Sequence, residues 1–179
     1  MTFNSFNLGQ NMRLALTLLL ISLFSIQAFA AGQNELPFYS KFYDEKRDPF
    51  KDATDAIALA QKTDRNVLIE IGGNWCTWCK KMDAFLEENR HVYEALHQKY
   101  VLLKISVSDS NENEAFMKSL PPVLGYPHMY ISTASGKMLL SKDTAELLEG
   151  NNYSEQRWLT FINKWQASAN MQNIASLTD

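Results

Sequence analysis

Cysteine is scarce in this chain: of its 179 residues only two are cysteines, Cys76 and Cys79. A structural zinc site is four-coordinate, and no second cysteine pair is present to complete one. The three histidines are scattered at positions 91, 97 and 128 and do not supply the missing ligands. Covalent haem attachment needs a histidine directly after the second cysteine, and position 80 is lysine. We therefore expect no metal and no cofactor.

Positive charge is also in short supply. Lysine and arginine number 17 against 20 acidic residues, which gives a formal net charge of −3 at pH 7. Domains that bind nucleic acid are usually basic, so the charge argues against a nucleic-acid partner. Repeats and low-complexity segments are absent as well. The remaining composition, 46% hydrophobic and 21% charged, is that of one ordinary globular domain.

Long hydrophobic runs are missing except near the N-terminus, where Arg13 precedes an apolar run at residues 14–24. Ala28-Phe29-Ala30 then provides a small-x-small cleavage pattern. The run is short for a membrane span. We predict a signal peptide at residues 1–30 with cleavage after Ala30, and a periplasmic or secreted mature protein without a stable membrane span. A retained N-terminal anchor and a true start at Met12 are the alternatives.

The two cysteines lie between a predicted strand and a predicted helix. Residues 67–71 are apolar and partly β-branched, residues 72–74 form a glycine-containing turn, and residues 80–88 favour a helix. Cys76 is thereby placed at the helix start, where unpaired N–H groups and the helix dipole favour an anion. Cysteines in such motifs have pKa values lowered from about 8.5 to about 3.5–7.5.

We accordingly predict that Cys76 is the attacking thiolate. Cys79, one turn later and more buried, would be the sulfur that closes a disulfide with it. A purely structural disulfide is the alternative, although so short a loop would remove little chain entropy. The oxidising compartment implied by export would allow such a disulfide to persist.

The remaining pattern indicates an α/β fold. Further helices are predicted at residues 52–62, 91–100, 114–120 and 154–169, with Asp52 and Ser154 as caps of the first and last. Strands are predicted at residues 101–107, 127–131 and 137–141, with Pro127 opening the second of these and a hairpin turn at Ser135-Gly136. This order implies a parallel portion extended by an antiparallel hairpin, with helices on both faces.

Three segments complete the predicted organisation. Residues 31–51 would form an N-terminal extension whose aromatic side chains pack on the domain, with a partner-binding surface as the alternative. Residues 52–170 would form the domain itself, and residues 171–179 a tail.

These features together resemble the thioredoxin superfamily, in particular exported bacterial thioredoxin-like domains with W-C-x-x-C at the start of their second helix. The resemblance covers about residues 48–167. The family places a buried carboxylate six residues before the first cysteine, a position held here by Glu70. It places a lysine on the next parallel strand and a cis-proline facing the cysteines, matched by Lys104 and Pro127. The resemblance implies a thioredoxin-like fold with a central mixed sheet.

The chain departs from the family pattern in three ways. The residues between the cysteines are Thr77-Trp78 instead of the common Gly-Pro, the carboxylate is glutamate instead of aspartate, and the aromatic extension is additional. These departures leave the expected fold intact. They leave open the redox direction and the partner.

The resemblance also implies catalytic roles for the buried pair. Glu70 would accept the proton of Cys79, and burial would raise its pKa toward the range that a base working near pH 7 needs. Lys104 would keep the carboxylate from being an isolated buried charge. A solvated ion pair at the strand ends is the alternative.

Five residues are predicted to bind substrate: Trp75, Trp78, Tyr126, Pro127 and His128. Tyr126 and Pro127 would form a wall beside Cys76, and the two tryptophans would supply apolar surface, although packing is an equal alternative for them. A protonated His128 would stabilise the thiolate. Its alternative is a partly exposed histidine without a role.

The expected function is therefore thiol–disulfide exchange through Cys76 and Cys79 with dithiols or disulfides of partner proteins. The favoured direction is reduction, fed by a membrane electron donor. A non-catalytic thioredoxin-like module that binds peptides or acts as a chaperone is the alternative.

Overall fold

The computed structural model describes residues 36–167. The predicted signal peptide at residues 1–30, the start of the extension at residues 31–35 and the predicted tail at residues 171–179 lie outside the described residues. Within the described range, no helix is both long enough and apolar enough to cross a membrane.

The elements alternate along the chain in the order that the sequence predicts, with short additions. The helices are α1 (Phe38–Lys41), α2 (Pro49–Thr63), α3 (Thr77–Glu88), α4 (Arg90–Lys99), α5 (Glu114–Met117) and α6 (Glu155–Lys164), with a 3₁₀ turn at Thr144–Leu147. The strands are β1 (Asn66–Gly72), β2 (Tyr100–Ser106), β3 (His128–Ser132), β4 (Met138–Asp143), β5 (Leu148–Glu149) and β6 (Asn152–Tyr153).

Four strands form the central sheet in the order β2-β1-β3-β4. Strands β1 and β2 pair in parallel, whereas β3 is antiparallel to both β1 and β4. Every residue of β1 and β2 is buried, as expected for continuous apolar strands covered on both faces. The predicted α/β class, with a parallel pair extended by an antiparallel hairpin, is confirmed.

One face of the sheet is covered by α3, α4 and α6. Their inward side chains recur at helical spacing and form one core with the sheet. The helical members of this core are Met82, Leu86, Val92, Leu96, Trp158, Phe161 and Ile162. The fully buried Trp158 is the largest of them.

The opposite face is covered by α1, α2 and α5, so helices lie on both faces as predicted. Ala56 and Ala60 of α2 are fully buried against the sheet, together with Tyr39 of α1 and Phe116 of α5. Part of the predicted extension thus belongs to the core, because α1 contributes Tyr39 to it.

Helix α2 begins three residues before the predicted start. Asp48 is its N-cap, because its side chain accepts hydrogen bonds from the N–H groups of Phe50 and Lys51, and Pro49 occupies the first turn. Asp52, the predicted cap, lies inside the helix, where its buried carboxylate pairs with the guanidinium of Arg47.

The segment after β4 differs most from the sequence prediction. The 3₁₀ turn and the two-stranded ribbon of β5 and β6 were not predicted, because elements of two to four residues are too short for periodicity to reveal them. The last helix ends at Lys164 instead of residue 169, and its predicted cap, Ser154, makes no capping hydrogen bond through its side chain.

Candidate active site

The cysteine pair lies at the N-terminus of α3, as predicted. Cys76 is the N-cap residue, and its Sγ accepts a hydrogen bond from the backbone N–H of Cys79 at 3.0 Å. The two sulfurs are joined in a disulfide between residues whose Cα atoms are 5.2 Å apart. Cys76 is 3% exposed and Cys79 is 1% exposed. After reduction, the first sulfur would meet the N–H groups that stabilise a thiolate at a helix start.

The turn before the cysteines requires its two glycines. A Cβ on Gly72 would lie 2.5 Å from Oη of Tyr43 and 2.6 Å from Sγ of Cys79. A Cβ on Gly73 would lie 2.5 Å from Nε1 of Trp75, which donates a hydrogen bond to the carbonyl of Val107 at 2.6 Å. The absence of these two side chains therefore lets the cysteine-bearing helix approach β1 closely.

Glu70 and Lys104 lie side by side in the interior. They are register partners on β1 and β2, and they are 1% and 6% exposed. The ammonium group of Lys104 pairs with the carboxylate of Asp83 on α3 at 2.5 Å. The two side chains are therefore enclosed beneath α3, unlike the solvated pair that was the alternative.

Burial and charge act on this pair in opposite directions. Burial raises the pKa of Glu70, while the charge of Lys104 and the hydrogen bond from Tyr43 partly oppose that rise. Burial works to lower the pKa of Lys104, but the carboxylates of Glu70 and Asp83 outweigh it and raise the pKa. The site therefore holds a carboxyl group with raised proton affinity beside a charged lysine.

Tyr43 is a site residue to which the sequence analysis gave no role. It lies between α1 and α2, is 4% exposed, and packs with both cysteines. Its hydroxyl donates a hydrogen bond to Oε1 of Glu70, and its ring lies 5.0 Å from Nζ of Lys104. Burial and the neighbouring Glu70 raise the pKa of Tyr43 well above its ordinary value, so the phenol stays protonated and able to donate. The only available signal was the aromatic character of the extension.

Trp75 and Tyr126 form an exposed aromatic surface next to the disulfide. Their side chains are 53% and 39% exposed, and the rings meet edge to face with centroids 5.3 Å apart. The peptide bond between Tyr126 and Pro127 is cis, and the buried Pro127 accepts a hydrogen bond from Oγ1 of Thr144 through its carbonyl at 2.6 Å.

A cavity of about 480 Å³ opens beside this aromatic pair. Trp75 and Tyr126 form part of its wall, and the loop after β2 together with α5 forms the rest. The acidic members of this lining are Asp109, Glu112 and Glu114. Glu114 is paired with Lys118 at 2.8 Å, so the rim carries a net negative charge.

The remaining two residues that were predicted to bind substrate, Trp78 and His128, are less exposed than Trp75 and Tyr126. Trp78 is half-buried, meets the ring of Tyr153 edge to face at 6.2 Å and lies beneath the ammonium of Lys81 at 4.2 Å, which favours a packing role. His128 is fully buried and shares its face of β3 with Tyr130, opposite the cysteine-bearing helix.

His128 also has the wrong charge for its predicted role. Its Nε2 lies 2.8 Å from Oγ of Ser141, and burial lowers its pKa, so the imidazole is neutral near pH 7. This placement does not support a contact with substrate or with a thiolate. Among residues 36–167, no group of three or more potential ligands is arranged to hold a metal ion.

The structure combines a mixed sheet, a C-x-x-C disulfide at a helix start, a buried carboxylate and a cis-proline. These features define a class of domains that carry a pair of cysteines at the start of a helix. The family described as Thioredoxin-like matches residues 48–134. The crystal structure of a disulphide isomerase from Xylella fastidiosa Temecula1 shares the fold, with a TM-score of 0.59 and 24% identity over 73% of this chain and 97% of that one. Residues 48–134 are therefore a thioredoxin-like domain.

Two curated relatives are similar over part of their length. Protein disulfide isomerase-like 1-1 of Arabidopsis thaliana is 29% identical over 67% of this chain and 22% of its own length. Thiol:disulfide interchange protein DsbD of Actinobacillus pleuropneumoniae serotype 5b (strain L20) is 26% identical over 53% of this chain and 16% of its own length. The chain thus spans less than a quarter of either relative.

Proposed function

We propose that this protein is a thiol–disulfide oxidoreductase that exchanges disulfides with partner proteins through Cys76 and Cys79. The observation that carries the proposal is the disulfide at the N-terminus of α3, which packs against Tyr43, the hydrogen-bond donor to the buried Glu70. The printed names of the two curated relatives, a disulfide isomerase-like protein and a thiol:disulfide interchange protein, support the same chemistry.

The reaction begins with the thiolate of Cys76. Its sulfur attacks a partner disulfide, forms a mixed disulfide and releases one partner sulfur as thiolate. Cys79 then loses its proton and attacks Sγ of Cys76, which forms the internal disulfide and releases the second partner sulfur. The partner gains two electrons and the cysteine pair loses them. Run backwards, the same steps oxidise a dithiol.

Glu70 is the proposed acceptor of the proton that Cys79 loses. Burial raises its pKa above the ordinary range of a carboxyl group, which brings its proton affinity closer to the pH at which exchange occurs. Lys104 compensates the carboxylate form, so that Glu70 is not left as an isolated charge in the interior.

The proposed docking surface consists of the exposed rings of Trp75 and Tyr126, and the buried Pro127 follows Tyr126 through the cis peptide bond. The two exposed rings next to Cys76 offer apolar contact area to an extended segment that carries the reacting cysteine. The acidic rim of the adjoining cavity favours segments with basic side chains near that cysteine.

We further propose that the protein works in the periplasm or outside the cell, as a reductase that a membrane electron donor recharges. The apolar run and the Ala28-Phe29-Ala30 pattern support export. The partial similarity to a thiol:disulfide interchange protein supports electron supply by exchange with a further thiol protein.

Insulin reduction tests the activity. The wild-type protein, kept reduced by dithiothreitol, should accelerate precipitation of the insulin B chain, and Cys76→Ser should lower the rate to that of dithiothreitol alone. Cys79→Ser should instead trap a mixed disulfide with insulin that gel electrophoresis without reductant detects. A wild-type protein no faster than dithiothreitol would refute the proposal.

The alternative is a module that binds peptides without turnover. The exposed aromatic side chains of Phe38, Phe42 and Phe50, outside the cysteine site, favour it. In that case wild type and Cys76→Ser would bind unfolded protein equally well, and neither would reduce insulin.

The reduction potential of the cysteine pair tests the proposed direction. A value of about −270 mV or below favours a reductase, and a value of about −120 mV favours an oxidase. Equilibration with glutathione or dithiothreitol buffers, followed by alkylation of free thiols, measures it.

A further inference from the structure

The hydroxyl of Tyr43 lies between the buried carboxylate and the second cysteine. It donates a hydrogen bond to Oε1 of Glu70. The hydroxyl oxygen and Sγ of Cys79 both lie within 2.6 Å of the position that a Cβ on Gly72 would take, so they are at most about 5 Å apart. Tyr43, Glu70 and Cys79 are 4%, 1% and 1% exposed, so all three groups are shielded from bulk water.

Groups from several elements act on the carboxyl group of Glu70. Lys104 of β2 and the hydroxyl of Tyr43 favour its carboxylate form, while burial and the charge of Asp83 on α3 favour its protonated form. Tyr153 of β6 also lies within electrostatic range of Glu70. Among these groups, the hydroxyl of Tyr43 donates directly to the oxygen of Glu70.

We propose that Tyr43 is a positioning residue that sets the pH at which Glu70 can accept the proton of Cys79. The inference rests on the proposed function, because it concerns the second step of the same exchange. In that step the S–H proton of Cys79 passes to the carboxylate of Glu70. The sulfur of Cys79 bonds to Sγ of Cys76, and the partner sulfur leaves with its electron pair.

The direction of the effect follows from the hydrogen bond. A donor to the carboxylate stabilises the ionised form, which is the form that can accept a proton. Removing the hydroxyl leaves a buried carboxylate with one donor fewer, so Glu70 holds its proton up to a higher pH. Hydrogen bonds to charged groups are strong enough to move such a titration by about one pH unit.

The second step can be isolated with 5,5′-dithiobis(2-nitrobenzoate), a small aromatic disulfide. The thiolate of Cys76 releases a first coloured thiolate, and Cys79 releases a second when it closes the internal disulfide. Stopped-flow absorbance separates the two phases, and the second phase is followed from about pH 4 to 9. In wild type its rate should rise through the pH range in which Glu70 loses its proton.

In Tyr43→Phe the midpoint of the second phase should move up by about one pH unit, while the first phase is unchanged. Tyr39→Phe is the matched control, because Tyr39 is a buried tyrosine of the same segment that packs on the opposite face of the sheet. It should leave both phases at wild-type values.

A double-mutant comparison distinguishes the proposed role of Tyr43 from a purely structural one. In a Glu70→Gln background, Tyr43→Phe should no longer change the second phase, because no titrating carboxyl remains. If Tyr43→Phe slows the second phase equally in both backgrounds, or leaves the wild-type midpoint where it is, the proposal is overturned.

A more acidic phenol provides a second variant that keeps the ring and its packing. 3-Fluorotyrosine at position 43 donates a stronger hydrogen bond, so the midpoint should move below the wild-type value, and an unchanged or raised midpoint overturns the proposal even if Tyr43→Phe does not fold. A wild-type protein that releases no second thiolate would instead refute the proposed function itself.

Discussion

At the scale of single residues, the geometry of the cysteine pair depends on the lack of a side chain at Gly72. Gly72 ends β1 where α3 and the segment carrying Tyr43 converge, and the space that a Cβ would need is already filled by an oxygen and a sulfur. Both neighbours are held in place, Tyr43 by Glu70 and Cys79 by the disulfide. Neither can move aside without disturbing the site.

We therefore predict that Gly72→Ala lowers the free energy of unfolding of the oxidised protein by about 1–3 kcal/mol, because overpacking forces neighbours out of position. Gly125→Ala is the matched control, since a Cβ there meets nothing within 4 Å, and it should leave stability at or slightly above the wild-type value. Urea denaturation followed by tryptophan fluorescence measures both. Equal stabilities for the two variants would contradict the prediction.

How far single residues could be predicted depended on how local their contacts are. Cys76 and Cys79 form one local motif, and their place at a helix start followed from the strand, turn and helix around them. Tyr43 meets Glu70 across 27 positions of sequence, through a segment without periodicity. His128 is turned away because an alternating strand directs successive side chains to opposite faces.

At the scale of elements, the bounds of long elements with a clear hydrophobic pattern were predicted well, whereas elements of a few residues were missed. Strands β1 and β2 were predicted to within one residue of each end, since buried parallel strands are continuously apolar. The start of α2 was predicted three residues too late, because Asp52 was expected to be the cap, whereas the cap lies one turn earlier. Only the hydrogen bonds to Phe50 and Lys51 identify Asp48 as the cap.

This assignment predicts that Asp48→Ala lowers the free energy of unfolding by about 1 kcal/mol through loss of the cap of α2. Ser154→Ala is the comparison, since Ser154 precedes α6 without a capping hydrogen bond from its side chain. This substitution should change the free energy of unfolding by less than about 0.5 kcal/mol. Thermal and urea unfolding of the oxidised variants test the pair. A larger effect at position 154 than at position 48 would show that the caps are assigned wrongly.

At the scale of the whole molecule, stability must depend on pH through groups whose proton affinity differs between the folded and unfolded chain. His97 of α4 is one such group, because burial, assisted by the positive charges of Arg65 and Lys104, lowers its pKa from the ordinary 6.5 to about 4. Glu70 acts in the opposite sense. Its raised pKa makes the folded protein hold a proton that the unfolded chain releases, so its contribution weakens stability as pH rises above 4.5.

Because the pKa of His97 is lowered in the folded protein, its contribution to the free energy of unfolding increases with pH. Between pH 6.5 and about 4 the unfolded chain takes up a proton that the folded protein does not, so the free energy of unfolding falls as pH falls through this window. The full shift corresponds to about 3 kcal/mol, and screening by water at this partly exposed ring reduces it to about 1–2 kcal/mol. The contribution is fully present above pH 6.5.

We predict that His97→Gln flattens the acid side of the stability profile. At pH 7.5 the imidazole is neutral in both states, so the difference between variant and wild type there measures only the packing change. On lowering the pH to 4.5, wild type should lose about 1–2 kcal/mol more than the variant. Urea denaturation of the oxidised proteins at half-unit pH steps provides the comparison, and two parallel profiles would mean that His97 titrates alike in the folded and unfolded chain.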